Sequence, residues 1–196
     1  MLRFMFVGDS MTIGSAGEHT WRYRMWQHLC ATLGGPFAIV GPRETLYDKS
    51  ADAAVSYAYG DPGFPVRARR HLAGWGEGWL HMAPLIGETV ARERANVLLV
   101  ALGLIDLGFY TDPPGTEQNM IRFITEARAA EPDIRMVLLP VVPNIVAHAD
   151  SSFAAQVTRF NALFAKAVAN LDEPRSPLLT ASVPESYDFR SDTYDG

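Results

Sequence analysis

The chain has 196 residues, which fits one domain able to bury about 70% of the surface exposed by its unfolded chain. Hydrophobic residues make up 48% and charged residues 20%, a composition typical of globular proteins. The net charge is -5, whereas proteins that bind phosphate backbones have a basic surface, so we expect no nucleic-acid partner. The single cysteine excludes an internal disulfide.

The first residues of the chain are apolar, but the run covers only residues 1–7 before Gly8. This is too short for a signal peptide or a membrane span. With no export signal and no disulfide, we expect a cytoplasmic protein without a membrane-spanning segment.

Five short apolar runs predict the strands. Each run is continuous rather than alternating, which is typical of strands covered on both faces in a parallel sheet. The runs are residues 4–7, 37–40, 97–102, 134–139 and 178–183.

In the segments between these runs, apolar residues recur at helical spacing. The first helix contains Cys30, which we expect to be a buried small hydrophobe. A later helix ends before Pro132, and the last one has Asp150 or Ser151 as its N-cap. The apolar positions are Trp21, Met25, Leu29 and Leu33; Leu85, Ile86 and Val90; Met120, Ile121, Phe123, Ile124 and Ala127; and Phe153, Val157, Phe160, Phe164 and Val168. The alternation predicts one three-layer α/β/α domain over residues 1–196.

Chemistry-bearing residues follow three of the predicted strands. Gly8-Asp9-Ser10 follows the first, Gly103 and Asp106 follow the third, and residues 188–196 follow the fifth. Ligands of open α/β sheets bind beyond the carboxyl ends of the strands. These segments are therefore expected to meet at one edge of the sheet and to form an active site.

Ser10 stands where a strand turns into a helix, and this position has two interpretations. Its hydroxyl can act as a nucleophile, with backbone N–H groups at the helix start stabilising an oxyanion. Alternatively, Asp9 or Ser10 simply caps that helix. The sequence Gly8-Asp9-Ser10 alone does not distinguish the catalytic role from the capping role. We expect Asp9 to brace the Ser10 turn through a backbone hydrogen bond, and Asp106 to brace its own loop similarly.

Four segments resemble, in order, the sequence blocks of the SGNH/GDSL hydrolases. Residues 6–10 resemble the first block, which carries the nucleophilic serine. Residues 59–64 resemble the loop whose glycine contributes an oxyanion N–H, with Gly63 as the best match. Residues 97–106 resemble the strand and the Gly-x-Asn-Asp block that follows it. Residues 192–196 resemble the approach to the final Asp-x-x-His block.

The resemblance implies a flavodoxin-like, doubly wound, five-stranded parallel sheet. It also implies that Ser10 is the nucleophile, Asp195 the triad acid, and the N–H groups of Ser10 and Gly63 the oxyanion hole. Such an enzyme acts on a small-molecule acyl substrate and requires no cofactor.

Two positions depart from the family pattern. The oxyanion asparagine is replaced by Ile105, which has no side-chain donor. The histidine of the last block would be the second residue after Gly196, so we expect this chain to lack its C-terminal end, including that histidine and a last helix.

The histidines present are possible substitutes for the missing base, and by position His19 is the one near Ser10. No histidine pair has metal-ligand spacing, so we expect no metal site. The remaining histidines are His28, His71, His81 and His148.

Three functional hypotheses remain open. The leading one is a serine hydrolase that acts on an ester through an acyl-enzyme on Ser10. The second is an acyltransferase or cyclising enzyme on the same scaffold. The third is a catalytically impaired binding protein that kept the fold. The sequence predicts neither the substrate nor the oligomeric state.

Overall fold

The computed structural model describes residues 1–192, and its centre is a parallel sheet. The strands are β1 (Leu2–Gly8), β2 (Phe37–Ile39), β3 (Leu46–Asp48), β4 (Ala53–Ser56), β5 (Leu72–Ala73), β6 (Val97–Ala101), β7 (Arg135–Leu139) and β8 (Leu178–Thr180). The five predicted strands are confirmed, with ends that differ by up to three residues. Their order, β2-β1-β6-β7-β8, is the doubly wound order expected of a flavodoxin-like domain.

Three strands are absent from the sequence prediction. The two-residue β5 pairs with the end of β1, with Leu72 opposite Val7 and Ala73 opposite Gly8. Strands β3 and β4 form a separate antiparallel hairpin. These strands have only two to four residues each. Strand β5 pairs with β1, which is distant in sequence, and such a pairing leaves no local pattern.

The helices are α1 (Ser10–Ile13), α2 (Trp21–Thr32), α3 (Trp79–Glu93), α4 (Pro113–Ala130), α5 (Ile145–Ala149), α6 (Ser151–Leu171) and α7 (Phe189–Asp192). The predicted long helices are all present. At the start of α6, the carboxylate of Asp150 accepts hydrogen bonds from Ser152 N and Phe153 N, which makes Asp150 its N-cap.

Both faces of the sheet carry helices. On one face, alternate residues of β6 and β7, such as Val100 and Leu138, pack under α3, α4 and α6. On the other face, Phe6 and Leu99 pack with Leu29 of α2. Fully burying one such side chain contributes about 1.5–3 kcal/mol. This two-sided burial explains why the strands are continuously apolar.

Helix α2 corrects the expectation for Cys30, which is exposed. The buried side chains of α2 are Leu29 and Arg22, so its inward face is narrow and partly polar. Leu33 lies just past the last turn and is also exposed. The periodicity located the helix correctly but assigned it too wide an apolar face.

Within residues 1–192, no helix has the length and apolar character needed to cross a membrane.

Candidate functional site

Ser10 is the first residue of α1, two positions after the end of β1, and is half-buried. The turn before it is tight, because a Cβ at Gly8 would overlap the side chain of Thr12 and approach Ala101 O. The Asp9 carboxylate caps the helix, with its Oδ1 accepting a hydrogen bond of 3.0 Å from Met11 N. The sequence around Ser10 therefore fixes its position through one glycine and one aspartate.

Gly8→Ala tests how tightly this turn is packed. We expect the substitution to lower the free energy of unfolding by about 1–3 kcal/mol, as overpacking typically does. Gly35→Ala is the matched control, because the nearest atom to a Cβ at Gly35 is 3.9 Å away. Urea unfolding of both variants measures the difference. Equal effects at the two sites would contradict the interpretation.

Burial controls the ionisation of Asp9. It raises the pKa of the Asp9 carboxyl to about 7, and the nearby carboxylate of Asp106 acts in the same direction. The hydrogen bond from Met11 N opposes this shift only in part. Asp9 is therefore partly protonated near neutral pH, and its role at the turn is to accept a hydrogen bond.

Asp106 acts on a different element from the one expected. Its Oδ2 accepts from Trp79 N at 2.8 Å and its Oδ1 accepts from Leu80 N at 3.0 Å, so it caps the start of α3. Burial raises the pKa of its carboxyl, while these two hydrogen bonds lower it. Asp106 thus ties the loop after β6 to the loop after β5.

Gly103 adopts a φ of 123°, and a Cβ there would lie 2.9 Å from the side chains of both Phe160 and Val141. Glycine therefore suits this position in both backbone conformation and space.

Arg22 is a component of the site that the sequence did not indicate. Its guanidinium is fully buried, donating from Nε to Thr12 O at 2.7 Å and from Nη2 to Ile13 O at 3.1 Å. These are the last carbonyls of α1, so Arg22 caps the helix that begins with Ser10. Burial lowers the pKa of the guanidinium. A lone arginine in a helical pattern gives no signal of such a role.

Ser10 lines a cavity with a volume of about 590 Å³. Strand β5 lies on one edge of β1 and β6 on the other, so the cavity lining divides around Ser10. One side, which we call the polar end, consists of Gly14, Ser15, Glu18, His19 and Trp75. The other side, the apolar end, is made mainly by Val137, Leu139, Val142, Ile145 and Val146; the lining also includes the polar side chains of Asn144, Tyr187 and Asp192.

His19 is the predicted substitute base that lines this cavity. Its Nδ1 lies 2.8 Å from Asp61 Oδ1, and the Asp61 side chain is buried. Among the described residues, the other four histidines do not contribute to the lining. His71 lies just before β5 and is fully buried. Burial is the main cause that lowers its pKa.

Gly63 lies away from this lining. It is exposed, and a Cβ there would lie 2.7 Å from Tyr23 Oη on α2. The loop that the structure brings beside Ser10 is instead the one after β5, where Gly74 N donates to Gly8 O at 3.2 Å. The pairing of β5 with β1 could not be inferred from the sequence, so the position of this loop beside Ser10 was not predicted.

Asp195, the predicted triad acid, lies outside the described residues. Residues 1–192 contain no group of three histidine, cysteine or acidic side chains arranged to hold a metal ion.

Comparison with known proteins places the chain in a family. The model of the GDSL-like Lipase/Acylhydrolase family matches residues 6–196. No curated protein matches the sequence. Several solved structures share the fold. An acetyl esterase mutant with acetate ion is 19% identical, with a TM-score of 0.74, covering 92% of this chain and 79% of that one.

Two further structures are carbohydrate esterases. The family 3 enzyme from Talaromyces cellulolyticus is 20% identical, with a TM-score of 0.73, over 92% of this chain and 79% of that one. The family 3 enzyme from Clostridium thermocellum is 16% identical, with a TM-score of 0.67, over 91% of this chain and 76% of that one. The family match spans nearly the whole sequence and includes Ser10, and the chain therefore belongs to the GDSL-like lipase/acylhydrolase family.

Proposed function

We propose that the protein hydrolyses carboxylic esters through an acyl-enzyme on Ser10. The observation that carries the proposal is the placement of Ser10. It begins a helix at the carboxyl end of a central strand and opens into the large cavity. Ligands of open α/β sheets bind at this edge, and membership of an acylhydrolase family specifies the type of bond attacked.

In the first step, Ser10 Oγ attacks the ester carbonyl. The histidine that the family's Asp-x-x-His block implies, oriented by Asp195, takes the proton from Ser10 Oγ. The tetrahedral oxyanion needs N–H donors. Ser10 N–H is at the start of α1, where N–H groups have no acceptor within the helix. The loop after β5 lies beside it and is better placed for a second donor than Gly63.

Collapse of this intermediate expels the alcohol, which receives the proton from the imidazole. Water then attacks the acyl-enzyme, giving the carboxylic acid and restoring Ser10. Residues 101–106 supply no asparagine donor in this scheme, because Ile105 stands at that position. The oxyanion is then stabilised by the Ser10 N–H and by a backbone donor from the loop after β5.

The substrate is proposed to lie across Ser10, with the acyl group against the apolar end and the alcohol portion at the polar end. Val142 and Leu139 offer aliphatic surface to an acyl group, whereas Glu18 and His19 offer hydrogen-bonding groups. The fold is shared with an acetyl esterase, which supports an ester with a small acyl group.

Covalent labelling tests the assignment of the nucleophile. We expect a fluorophosphonate to modify the protein at Ser10, as mapped by peptide mass spectrometry, and to leave Ser10→Ala unmodified. Ser151→Ala, a change at an exposed serine that begins α6, is the control and should be labelled normally. Ester hydrolysis by a protein that is labelled at another residue, or that survives Ser10→Ala, would refute it.

A further inference from the structure

We infer that Arg43 and Glu77 are positioning residues for the loop after β5, residues 74–78, which we call the β5–α3 loop. The inference rests on the proposed ester hydrolysis, in which this loop supplies a backbone donor to the oxyanion. It is carried by an ion pair that contacts both the residue before the loop and the loop itself.

The composition of the β5–α3 loop makes external support necessary. Three of its five residues are glycines, at positions 74, 76 and 78. Glycine has the greatest conformational freedom of all residues, so such a segment does not hold one backbone geometry by itself. An oxyanion donor must nevertheless lie about 2.7–3.1 Å from the place where the charged oxygen will form. The geometry of the loop is therefore imposed by its neighbours.

The ion pair joins the two ends of this loop. Arg43 Nη1 donates to Glu77 Oε2 at 2.5 Å, and Nη2 donates to Oε1 at 3.3 Å. The same Nη1 also donates to Ala73 O at 3.0 Å, at the end of β5. An exposed ion pair by itself contributes little to stability. This guanidinium, however, bridges the residue before the loop and a residue near its end, and so restrains the distance between them.

The carboxylate of Glu77 lies against the backbone of Gly74. A Cβ at Gly74 would overlap this carboxylate and would lie 2.6 Å from Arg43 Nη1. Glu77 N also donates to Gly74 O at 3.3 Å. Gly74 N in turn donates to Gly8 O at 3.2 Å, two residues before Ser10. The ion pair is therefore linked through Gly74 to the strand that leads to the nucleophile.

Arg43 is itself held by backbone contacts outside the loop. Arg43 N donates to His71 O at 3.1 Å, and His71 N donates to Arg43 O at 2.9 Å. Within the described part of the chain, neither Arg43 nor Glu77 contributes to the cavity lining. A substrate in the cavity therefore does not contact them. Because the two charges balance, the pair acts on the oxyanion through the position of the loop and not through a net charge.

The outer part of the loop has supports of its own. Trp75 stacks on Tyr47 with ring centroids 4.1 Å apart, and Gly76 O accepts from Tyr110 Oη at 3.3 Å. Loss of the ion pair is therefore expected to displace Gly74 without unfolding the whole loop. Such a displacement costs less than the roughly hundredfold to thousandfold loss of rate that follows removal of a donor.

Kinetics with 4-nitrophenyl acetate test this positioning role. For Arg43→Met we expect kcat to fall about tenfold while KM changes by less than about twofold, because the loop stabilises the oxyanion and not the bound ester. Arg43→Lys should recover part of the loss, since it keeps the charge but lacks the fork of donors. Arg92→Met is the matched control. Arg92 Nη1 also pairs with a glutamate, at 3.5 Å from Glu88 Oε1, but it is exposed on α3, and its removal should leave kcat and KM unchanged.

Inhibition by an alkyl trifluoromethyl ketone reports on the oxyanion directly. Ser10 Oγ adds to the ketone carbonyl, the Ser10 proton passes to the histidine of the Asp-x-x-His block, and the carbonyl oxygen becomes the oxyanion. The inhibition constant should rise in Arg43→Met by the factor by which kcat/KM falls, as expected for a mimic of the transition state. A loss of folded protein alone would lower the fraction of sites titrated by a fluorophosphonate and would leave the inhibition constant unchanged.

Glu77→Gln, which keeps the shape of the side chain and removes its charge, carries the test even where Arg43→Met does not fold. It should lower kcat and raise the inhibition constant in the same way. Values of kcat in both variants equal to that of Arg92→Met, or a change confined to KM, would overturn the positioning role and leave ester hydrolysis intact. An unsubstituted protein that hydrolyses no ester would instead refute the proposed function and this inference with it.

Discussion

Replacing Arg22 by methionine is expected to lower the free energy of unfolding by about 3 kcal/mol. Three carbonyls lose their donor: Thr12 O, Ile13 O and Arg69 O. Each buried acceptor left unpaired costs about 1–3 kcal/mol, while removing a buried charge offsets part of the sum. Urea unfolding followed by circular dichroism measures the change, assuming a two-state transition.

Arg24→Met is the matched control, since Arg24 lies on the same helix and is exposed. We expect its effect to stay within about 0.5 kcal/mol. Arg22→Lys should fall between the two, because one ammonium cannot supply the fork of donors that the guanidinium supplies. A stability of Arg22→Met equal to that of Arg24→Met would show that α1 does not depend on this cap.

The stability of the protein is expected to fall as the pH rises through the pKa of Asp9. The folded-state pKa is about 7, above the ordinary value of 3.8, so the folded protein binds the Asp9 proton more tightly than the unfolded chain does. The contribution of Asp9 is then complete below pH 3.8 and is lost between about pH 4 and pH 7. At about 1.4 kcal/mol per pKa unit, the total is about 4 kcal/mol.

Asp9→Asn removes this titration but keeps an oxygen that can accept from Met11 N. We therefore expect its unfolding free energy to vary less between pH 4 and pH 8 than that of the unsubstituted protein. Asp106 also has a raised pKa and retains its own contribution of the same sign. Asp150→Asn changes an exposed helix cap instead, and its pH profile should remain that of the unsubstituted protein. Parallel profiles for Asp9→Asn and the unsubstituted protein would contradict the prediction.

The parts of the fold that the sequence predicted are those with a strong local pattern. Strand β6 is a continuous apolar run, and α6 carries a regular apolar stripe from Phe153 to Val168. Strand β5 has two residues and exists because β1 offers a pairing edge. The role of Arg22 depends on carbonyls from α1 and from Arg69, and no periodicity encodes such an arrangement.

The candidate site shows the same difference between features with a local sequence pattern and features that depend on contacts between distant segments. Ser10 could be found because it follows a recognisable strand and stands at the start of a helix. The polar end could not, because Ser15, Tyr47 and Trp75 come from three segments that meet only through the β3 hairpin and β5. His19 was the histidine expected near Ser10, and it does line the same cavity. Its partner Asp61 lies within residues 59–64, the segment that resembles the oxyanion loop, and its side chain is buried rather than facing the cavity.

Helix α1 has four residues, far below the length at which a helix is stable by itself in water. Its shape is therefore maintained by groups outside it, above all by the guanidinium of Arg22, which also contacts Tyr59 Oη and Arg69 O. Local opening of the segment from residue 59 to residue 69 would remove the contacts of Arg22 with Tyr59 Oη and Arg69 O and so weaken the support of α1. The position of Ser10 thus depends on contacts from the segment between residues 59 and 69 as well as on the end of β1.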